Sequence, residues 1–335
     1  MNYFFQSLFM QEEEEQEQEE EEEEEYIIDA VVVDQDLINL NVNRQVFITS
    51  HIQQMGKGQD YCIQGSTVYN GIYIKYAAVF DGHGSSDVIN FIQNISIEKM
   101  KKIMATECPV TTMFHYVNEC IKLSYQSSGS TMCVARIFPS HIEIINSGDS
   151  QAIVYKNNQI VFISETHDAL NDTDLERVKK MQHFHHLMHA DNIKMIYENT
   201  LCNRDSFYVV YDDNTCLICT QCLGHNGITG IHPDKTIIHY TEEDNIRILL
   251  GSDGLFDMII KQRFNDDYLE KDLLAIIDLP GDAILNRAIK RWIQQWCVCD
   301  ISNISETKIH QFEKEECDDV CLVIIDIPLG KIQQH

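Results

Sequence analysis

The feature that most constrains this chain is an apolar strand that stops on an aspartate, and it recurs. Ala77-Ala78-Val79-Phe80 runs directly into Asp81-Gly82-His83-Gly84, and Ile248-Leu249-Leu250 runs through Gly251-Ser252 into Asp253-Gly254. Asn146-Ser147-Gly148-Asp149-Ser150 repeats the theme, and Cys317-Asp318-Asp319 stands just before the apolar run Cys321 to Ile327. A strand end fixes a short carboxylate, and glycine lets the backbone come close to a ligand. Hard divalent cations need converging oxygen ligands of this type. Any one Asp-Gly or Gly-Asp step reads as a turn; the set points to a cation site.

The rest of the pattern says how such strands are arranged. Short β-rich runs occupy Ile27 to Val33, Val46 to Ile48, Tyr61 to Ile63 and Ile72 to Phe80. Two amphipathic helices follow, one carrying Val88, Phe91, Ile92 and Ile95, the other Phe114, Val117, Ile121 and Tyr125. Strands return at Thr131 to Phe138, Ile142 to Asn146, Ala152 to Tyr155 and Gln159 to Ile163, with Asn157-Asn158 as a turn. Helices are expected over Thr173 to Met181 and Asp282 to Trp296, and strands over Ile246 to Gly251 and Cys321 to Ile327. Consecutive hairpins with helices inserted in pairs argue for an α+β fold of antiparallel sheets covered by helices.

Charge narrows the function. The 335 residues carry 53 acidic against 25 basic side chains, a formal charge of -28, which is the wrong sign for a phosphate backbone and argues against nucleic acid as a partner. Twelve of the acids lie in Glu12 to Glu15, Glu17 and Glu19 to Glu25. That low-complexity, self-repelling stretch predicts a disordered acidic tail over residues 1–25 and a folded domain over 26–330. No apolar run reaches the roughly 18 residues of a membrane span, and the N-terminus lacks the basic start of a signal peptide. The expectation is a soluble, intracellular, monomeric protein with no membrane contact. Its 12 dispersed cysteines are then reduced.

Taken in order, these segments resemble the metal-dependent, type 2C family of serine/threonine protein phosphatases. The series begins with Gly58-Gln59-Asp60 and Val79-Phe80-Asp81-Gly82-His83-Gly84, then Ser128-Gly129-Ser130-Thr131 and Asn146-Ser147-Gly148-Asp149-Ser150-Gln151-Ala152. It continues through Thr166-His167, Leu223-Gly224, Gly251-Ser252-Asp253-Gly254-Leu255-Phe256-Asp257 and Asp318-Asp319-Val320-Cys321. The resemblance implies a β-sandwich of two antiparallel sheets flanked by helices, a four-layer αββα arrangement. It implies two Mg2+ or Mn2+ ions, with Asp81 bridging them, the Gly82 carbonyl completing the first site, and Asp60, Asp253 and Asp318 on the second. Asp149 matches a third, weaker metal site. By the same resemblance His83 protonates the leaving serine or threonine oxygen of a phosphorylated protein, which is hydrolysed by direct attack of a metal-bridging water.

Three positions depart from the family pattern. Met55 stands where an arginine commonly clamps the substrate phosphate, and Lys57 is the available substitute, a point charge in place of a two-pronged fork. Asp318-Asp319 replaces the usual Asp-Asn pair, and His225 replaces the aspartate of Leu-Gly-Asp. Met55 and the altered flap sequence suggest a second reading, a catalytically weak relative acting as a phosphoprotein-binding or regulatory module. The retained carboxylates favour the enzyme.

Other clusters compete for attention. Cys216, Cys219, Cys222 and His225 have soft-metal spacing, but Cys216 to Cys219 lies in an apolar, strand-like stretch where thiols pack as small hydrophobes, and that reading is preferred to zinc. His183, His185, His186 and His189 are expected on a solvated helix or flap. Trp292 and Trp296, four apart, are expected on one core-facing side of a helix.

Overall fold

The structure, a computed structural model, describes residues 44–121, 127–189, 193–197, 200–201, 206–211, 215–260, 266–300 and 303–329. The expected acidic tail, the run Ile27 to Val33 and Tyr125 of the second expected helix lie outside the described residues.

Strands β1 (Phe47–Gln53), β2 (Asp60–Tyr69) and β3 (Ile72–Gly84) lead into helices α1 (Asp87–Gln93), α2 (Ile97–Met104) and α3 (Pro109–Cys120). Then come β4 (Ser128–Ser130), β5 (Met132–Ile137), β6 (His141–Ser147), β7 (Gln151–Lys156) and β8 (Gln159–Ile163), followed by α4 (Asp172–Lys179). The next stretch carries β9 (Phe184–His189), β10 (Ile193–Tyr197), β11 (Thr200–Leu201), β12 (Phe207–Tyr211), β13 (Cys216–Leu217), β14 (Leu223–Gly224), β15 (Asp234–His239) and β16 (Ile246–Gly251). Helices α5 (Asp253–Ile259), α6 (Asp266–Leu274) and α7 (Gly281–Ile293) precede β17 (Gln295–Asp300), β18 (Asn303–Gln311) and β19 (Val320–Ile327).

Two antiparallel sheets form the centre. One runs β1-β19-β16-β7-β8; the other runs β14-β4-β3-β5-β6-β15, with β2 also paired to β3. The central strands β3, β5, β7, β16 and β19 are apolar on both faces because both faces are covered. On β3, Ala77 and Val79 meet Ala152 and Val154 of β7, Ile248 and Leu250 of β16, and Val323 and Ile325 of β19 in the layer between the sheets. The alternate residues Tyr76, Ala78 and Phe80 pack under α1, α2 and α3 with Ile89, Ile103 and Met113. On the far side, Ile153, Tyr155, Leu249, Leu322 and Ile324 pack under α5, α6 and α7 with Phe256, Leu273 and Ile284. A side-chain period of two thus yields the four-layer αββα arrangement directly.

Helix α2 has no counterpart in the periodicity reading, since its eight residues bury only Met100, Ile103 and Met104. Its start is marked by Ser96, whose side chain accepts the Lys99 amide. Fully buried Arg136 ties down the segment after it, donating to the carbonyls of Met104, Thr106 and Glu107 while pairing with Glu143. The expected helix over Asp282 to Trp296 stops at Ile293, and Trp296 lies on β17 instead. Both tryptophans still join one core: Trp292 donates to the Gly254 carbonyl and Trp296 to that of Arg291, each at 2.8 Å. The histidine-rich segment is the strand β9, not a helix, with His185, His186 and His189 exposed. Among the described residues no helix is long and apolar enough to cross a membrane.

Candidate active site

Antiparallel pairing brings chain-distant aspartates to one end of the sandwich. The first residue of β2 pairs with the tenth of β3, so Asp60 lies opposite Asp81. Asp253 opens α5 two residues after the end of β16, and Asp318 lies two residues before β19, which pairs with β16. The turn that carries the chain from β6 in one sheet to β7 in the other lies at the same end and delivers Asp149. Buried His167 braces that turn through Nδ1, 3.2 Å from both the amide and the carbonyl of Gly148, and its Nε2 pairs with Asp234.

One carboxylate oxygen from each of Asp81, Asp149 and Asp253 lies within 4.8 Å of the others. Like charges this close, partly removed from water, repel one another. Burial pushes Asp81 well up, and Asp253, Asp60 and Asp318 add to the push. Asp60 is likewise raised by burial and by repulsion from Asp253, Asp318 and Asp319, although Ser252 Oγ donates to its Oδ2 at 2.7 Å. Burial and Asp253 push Asp318 up to about 6 against the opposing pull of Lys57. Asp253 Oδ1 is buried with no hydrogen-bond donor among the described residues. An all-oxygen set that strains against its own charge is the donor chemistry of Mg2+ or Mn2+, and the residues fit such ions.

Backbone geometry around the set is tightly fixed. The Gly82 amide donates to the Gln59 carbonyl at 3.2 Å, and a Cβ on Gly82 would come within 2.4 Å of Ile89. Only glycine lets β3 pass between α1 and the loop that carries Asp60. Asp319 holds that loop from the other side: its Oδ1 accepts the Met55 amide at 2.6 Å and its Oδ2 the amides of Gln59 at 2.5 Å and Asp60 at 3.4 Å.

Two cationic groups border the carboxylates. Lys57 Nζ donates to Asp318 Oδ2 at 2.9 Å. Burial disfavours its charge, but Asp318, Asp253 and Asp81 outweigh that and raise it. For His83, burial again opposes the charged ring, while a hydrogen bond and charge from Cys222 and the charges of Asp149 and Asp253 raise its affinity for a proton. A protonated imidazole beside a carboxylate cluster can donate to a leaving oxygen.

The structure therefore gathers Asp60, Asp81, Asp149, Asp253, Asp318, His83 and Lys57 at one place. Sequence reading missed Asp319 and Ser252 as the groups that position Asp60. It also missed the neighbours of His83. Cys216 is exposed on β13, but Cys219, Cys222 and His225 turn inward, with one ligand atom each from His83, Cys222 and His225 within 4.8 Å of one another. Burial disfavours the Cys222 thiolate, yet hydrogen bonds from Cys219 and His83 and the charge of His225 bring the thiol well below its ordinary value. Only the spacing of the three Cys-x-x steps hinted at this, and it could not reveal that β3 would supply a second histidine.

Comparison with known proteins gives a consistent picture. The family profile described as protein phosphatase 2C matches residues 64–188. Protein phosphatase 1B of Homo sapiens is 30% identical over 259 residues, covering 67% of this chain and 47% of the human protein. The probable protein phosphatase 2C 27 of Oryza sativa subsp. japonica is 22% identical over 215 residues, covering 58% of this chain and 54% of the rice protein. The chain thus spans about half the length of the curated relatives it matches. Among solved structures, a Caenorhabditis elegans sex determining protein aligns with a TM-score of 0.51 at 18% identity, over 84% of this chain and 65% of that one, a likeness of fold alone.

Proposed function

This chain belongs to the protein phosphatase 2C family, and on that premise we propose that it is a metal-dependent protein serine/threonine phosphatase. The observation that carries the reading is the meeting of Asp81 with Asp60, Asp149 and Asp253 at a strand end that also bears His83. Asp60, Asp81, Asp253, Asp318 and the Gly82 carbonyl would hold two Mg2+ or Mn2+ ions, with Asp149 serving a third, weaker one. When bound, such ions supply an activated water and neutralise charge on a phosphoryl group in transfer.

The chain's own residues do the rest. His83 carries a proton on its imidazole and gives it to the serine or threonine oxygen as the phosphate ester breaks, a transfer that is rate-enhancing because the leaving alkoxide is otherwise a strong base. Lys57, at the rim, offers the phosphate a point charge where Met55 offers none. Asp319 and Ser252 keep Asp60 in register, and the substrate is a phosphoserine or phosphothreonine protein.

The test is phosphate release from a phosphothreonine peptide by the purified chain, with Mn2+, with Mg2+, and with excess chelator. Release is expected only with the cation. Full activity in excess chelator would overturn the reading.

A further inference from the structure

Beside the carboxylates sits a second donor set of opposite chemical character. The imidazole Nε2 atoms of His83 and His225 both lie close over Gly129: a Cβ on that glycine would lie 2.4 Å from the Nε2 of His225 and 2.6 Å from that of His83. The rings stack with centroids 5.0 Å apart. Cys222 Sγ completes a trio whose ligand atoms span no more than 4.8 Å, and Cys222 and His225 are buried. Cys219 Sγ lies 3.7 Å from His83 Nε2. Across a tetrahedral zinc with bonds of about 2.3 Å to sulfur and about 2.0 Å to nitrogen, the two ligand types stand about 3.6 Å apart.

We propose that His83, Cys222 and His225, joined by Cys219 as the fourth donor, form a binding site for a soft divalent cation, zinc above all, separate from the carboxylate site. The donors select it: two sulfurs and two imidazole nitrogens suit zinc and reject magnesium, while the all-oxygen set favours hard ions. Support from outside the donor set is present too. Thr229 Oγ1 lies 3.8 Å from Cys222 Sγ, and Thr229 also accepts the Cys222 amide at 3.3 Å, fixing the thiol's approach. Zinc binding displaces whatever protons its thiol and imidazole donors carry.

The site has a consequence for the reaction, which rests on the phosphatase reading. His83 Nε2 cannot ligate zinc and carry the proton destined for the leaving oxygen at once. Zinc that takes His83 Nε2 together with Cys219, Cys222 and His225 therefore removes the general acid without displacing the ions on Asp60, Asp81, Asp253 and Asp318. It acts as an inhibitor that excess Mg2+ does not relieve.

Cobalt is the probe. The full, reduced chain, saturated with Mg2+ to fill the carboxylates, is titrated with Co2+. One equivalent should give thiolate-to-metal charge-transfer absorption and the visible bands of a tetrahedral ion, and one equivalent of Zn2+ should bleach both. Cys222→Ser and Cys219→Ser should each weaken zinc by about tenfold or more. Should either variant fail to fold, zinc-edge X-ray absorption of the unaltered protein decides, two sulfur and two nitrogen neighbours being the expected shell. A Co2+ spectrum without charge transfer, or a zinc shell of oxygen and nitrogen alone, overturns the site. These optical readouts do not involve phosphate release, so they stand or fall apart from the phosphatase reading.

Discussion

Asp319 accepts the backbone amide of Gln59 at 2.5 Å, joining positions 260 residues apart. One carboxylate just before the last strand of one sheet thereby sets the entry of β2 in the other, and Asp60 is the next residue. The position of Asp60, a proposed metal ligand, is decided by a side chain that need not touch a metal.

Asp319→Ala should show this as stability. It strands the buried amide of Gln59 and the partly buried amide of Met55, at a cost of about 3 kcal/mol for losing charge-assisted hydrogen bonds. Asp319→Asn, which keeps one acceptor oxygen, should lose roughly half as much. Urea unfolding checks both, and an unchanged midpoint in Asp319→Ala would rule out the anchoring role.

Asp81→Asn and Asp253→Asn separate catalysis from folding. Losing a group that merely orients a ligand costs metal sites about 10- to 100-fold, so losing an anionic donor should lower turnover by about a hundredfold or more. Yet the cation-free protein should melt no lower than the parent, because each change relieves repulsion among Asp60, Asp81, Asp253 and Asp318. Thermal melts with and without Mn2+ provide the check: the parent should be stabilised by the ion, and the variants much less.

Lys57 tests the phosphate contact. If its ammonium holds the phosphate equally in ground and transition states, Lys57→Ala raises KM and leaves kcat nearly unchanged. Adding Met55→Arg should recover kcat/KM, since a guanidinium grips two phosphate oxygens together. Steady-state kinetics on a phosphothreonine peptide decide it, and unaltered constants in Lys57→Ala would exclude the contact.

Acid stability has a contribution remote from the site. Burial disfavours the Asp244 carboxylate, but Lys156, Thr241 and Asn157 outweigh that and lower it from 3.8 to about 2. A carboxylate with a depressed folded value contributes stability that is fully present above pH 4 and is lost as the pH falls toward 2. Asp244→Asn should therefore melt lower than the parent at pH 6, with the gap closing between about pH 4 and pH 2. A gap that persists at pH 2 would show that the loss is not electrostatic.

What the sequence made legible follows from which signals are local. The doubly buried strands announce themselves as unbroken apolar runs, and the ordered Asp-Gly steps carry the carboxylates. Trp296 was misplaced because a four-residue spacing fits a helical face and cannot show that the chain turns at Gln294. Helix α2 is too short to sustain a period. Asp319 looked like a neighbour of a ligand, because its function lies in amides 260 positions away. The Cys219, Cys222 and His225 spacing was visible, but its meaning needed His83 from another strand.

The row of alternate residues on β3 carries a last consequence, for changes in chain length. Ala77 and Val79 fill the layer between the sheets while Ala78 and Phe80 face the helices, and the same alternation carries on to Asp81 and His83. Deleting one residue within β3 would exchange the two rows, driving Phe80 between the sheets and turning Asp81 toward the helices. Fold and site would fail together. At the other end of the hairpin, Asn70 and Gly71 turn with positive φ and nothing within 4 Å of a Cβ on Gly71. An inserted residue should therefore be accommodated at that tip, whereas between Ile72 and His83 the spacing itself is fixed by the two covered faces of the strand.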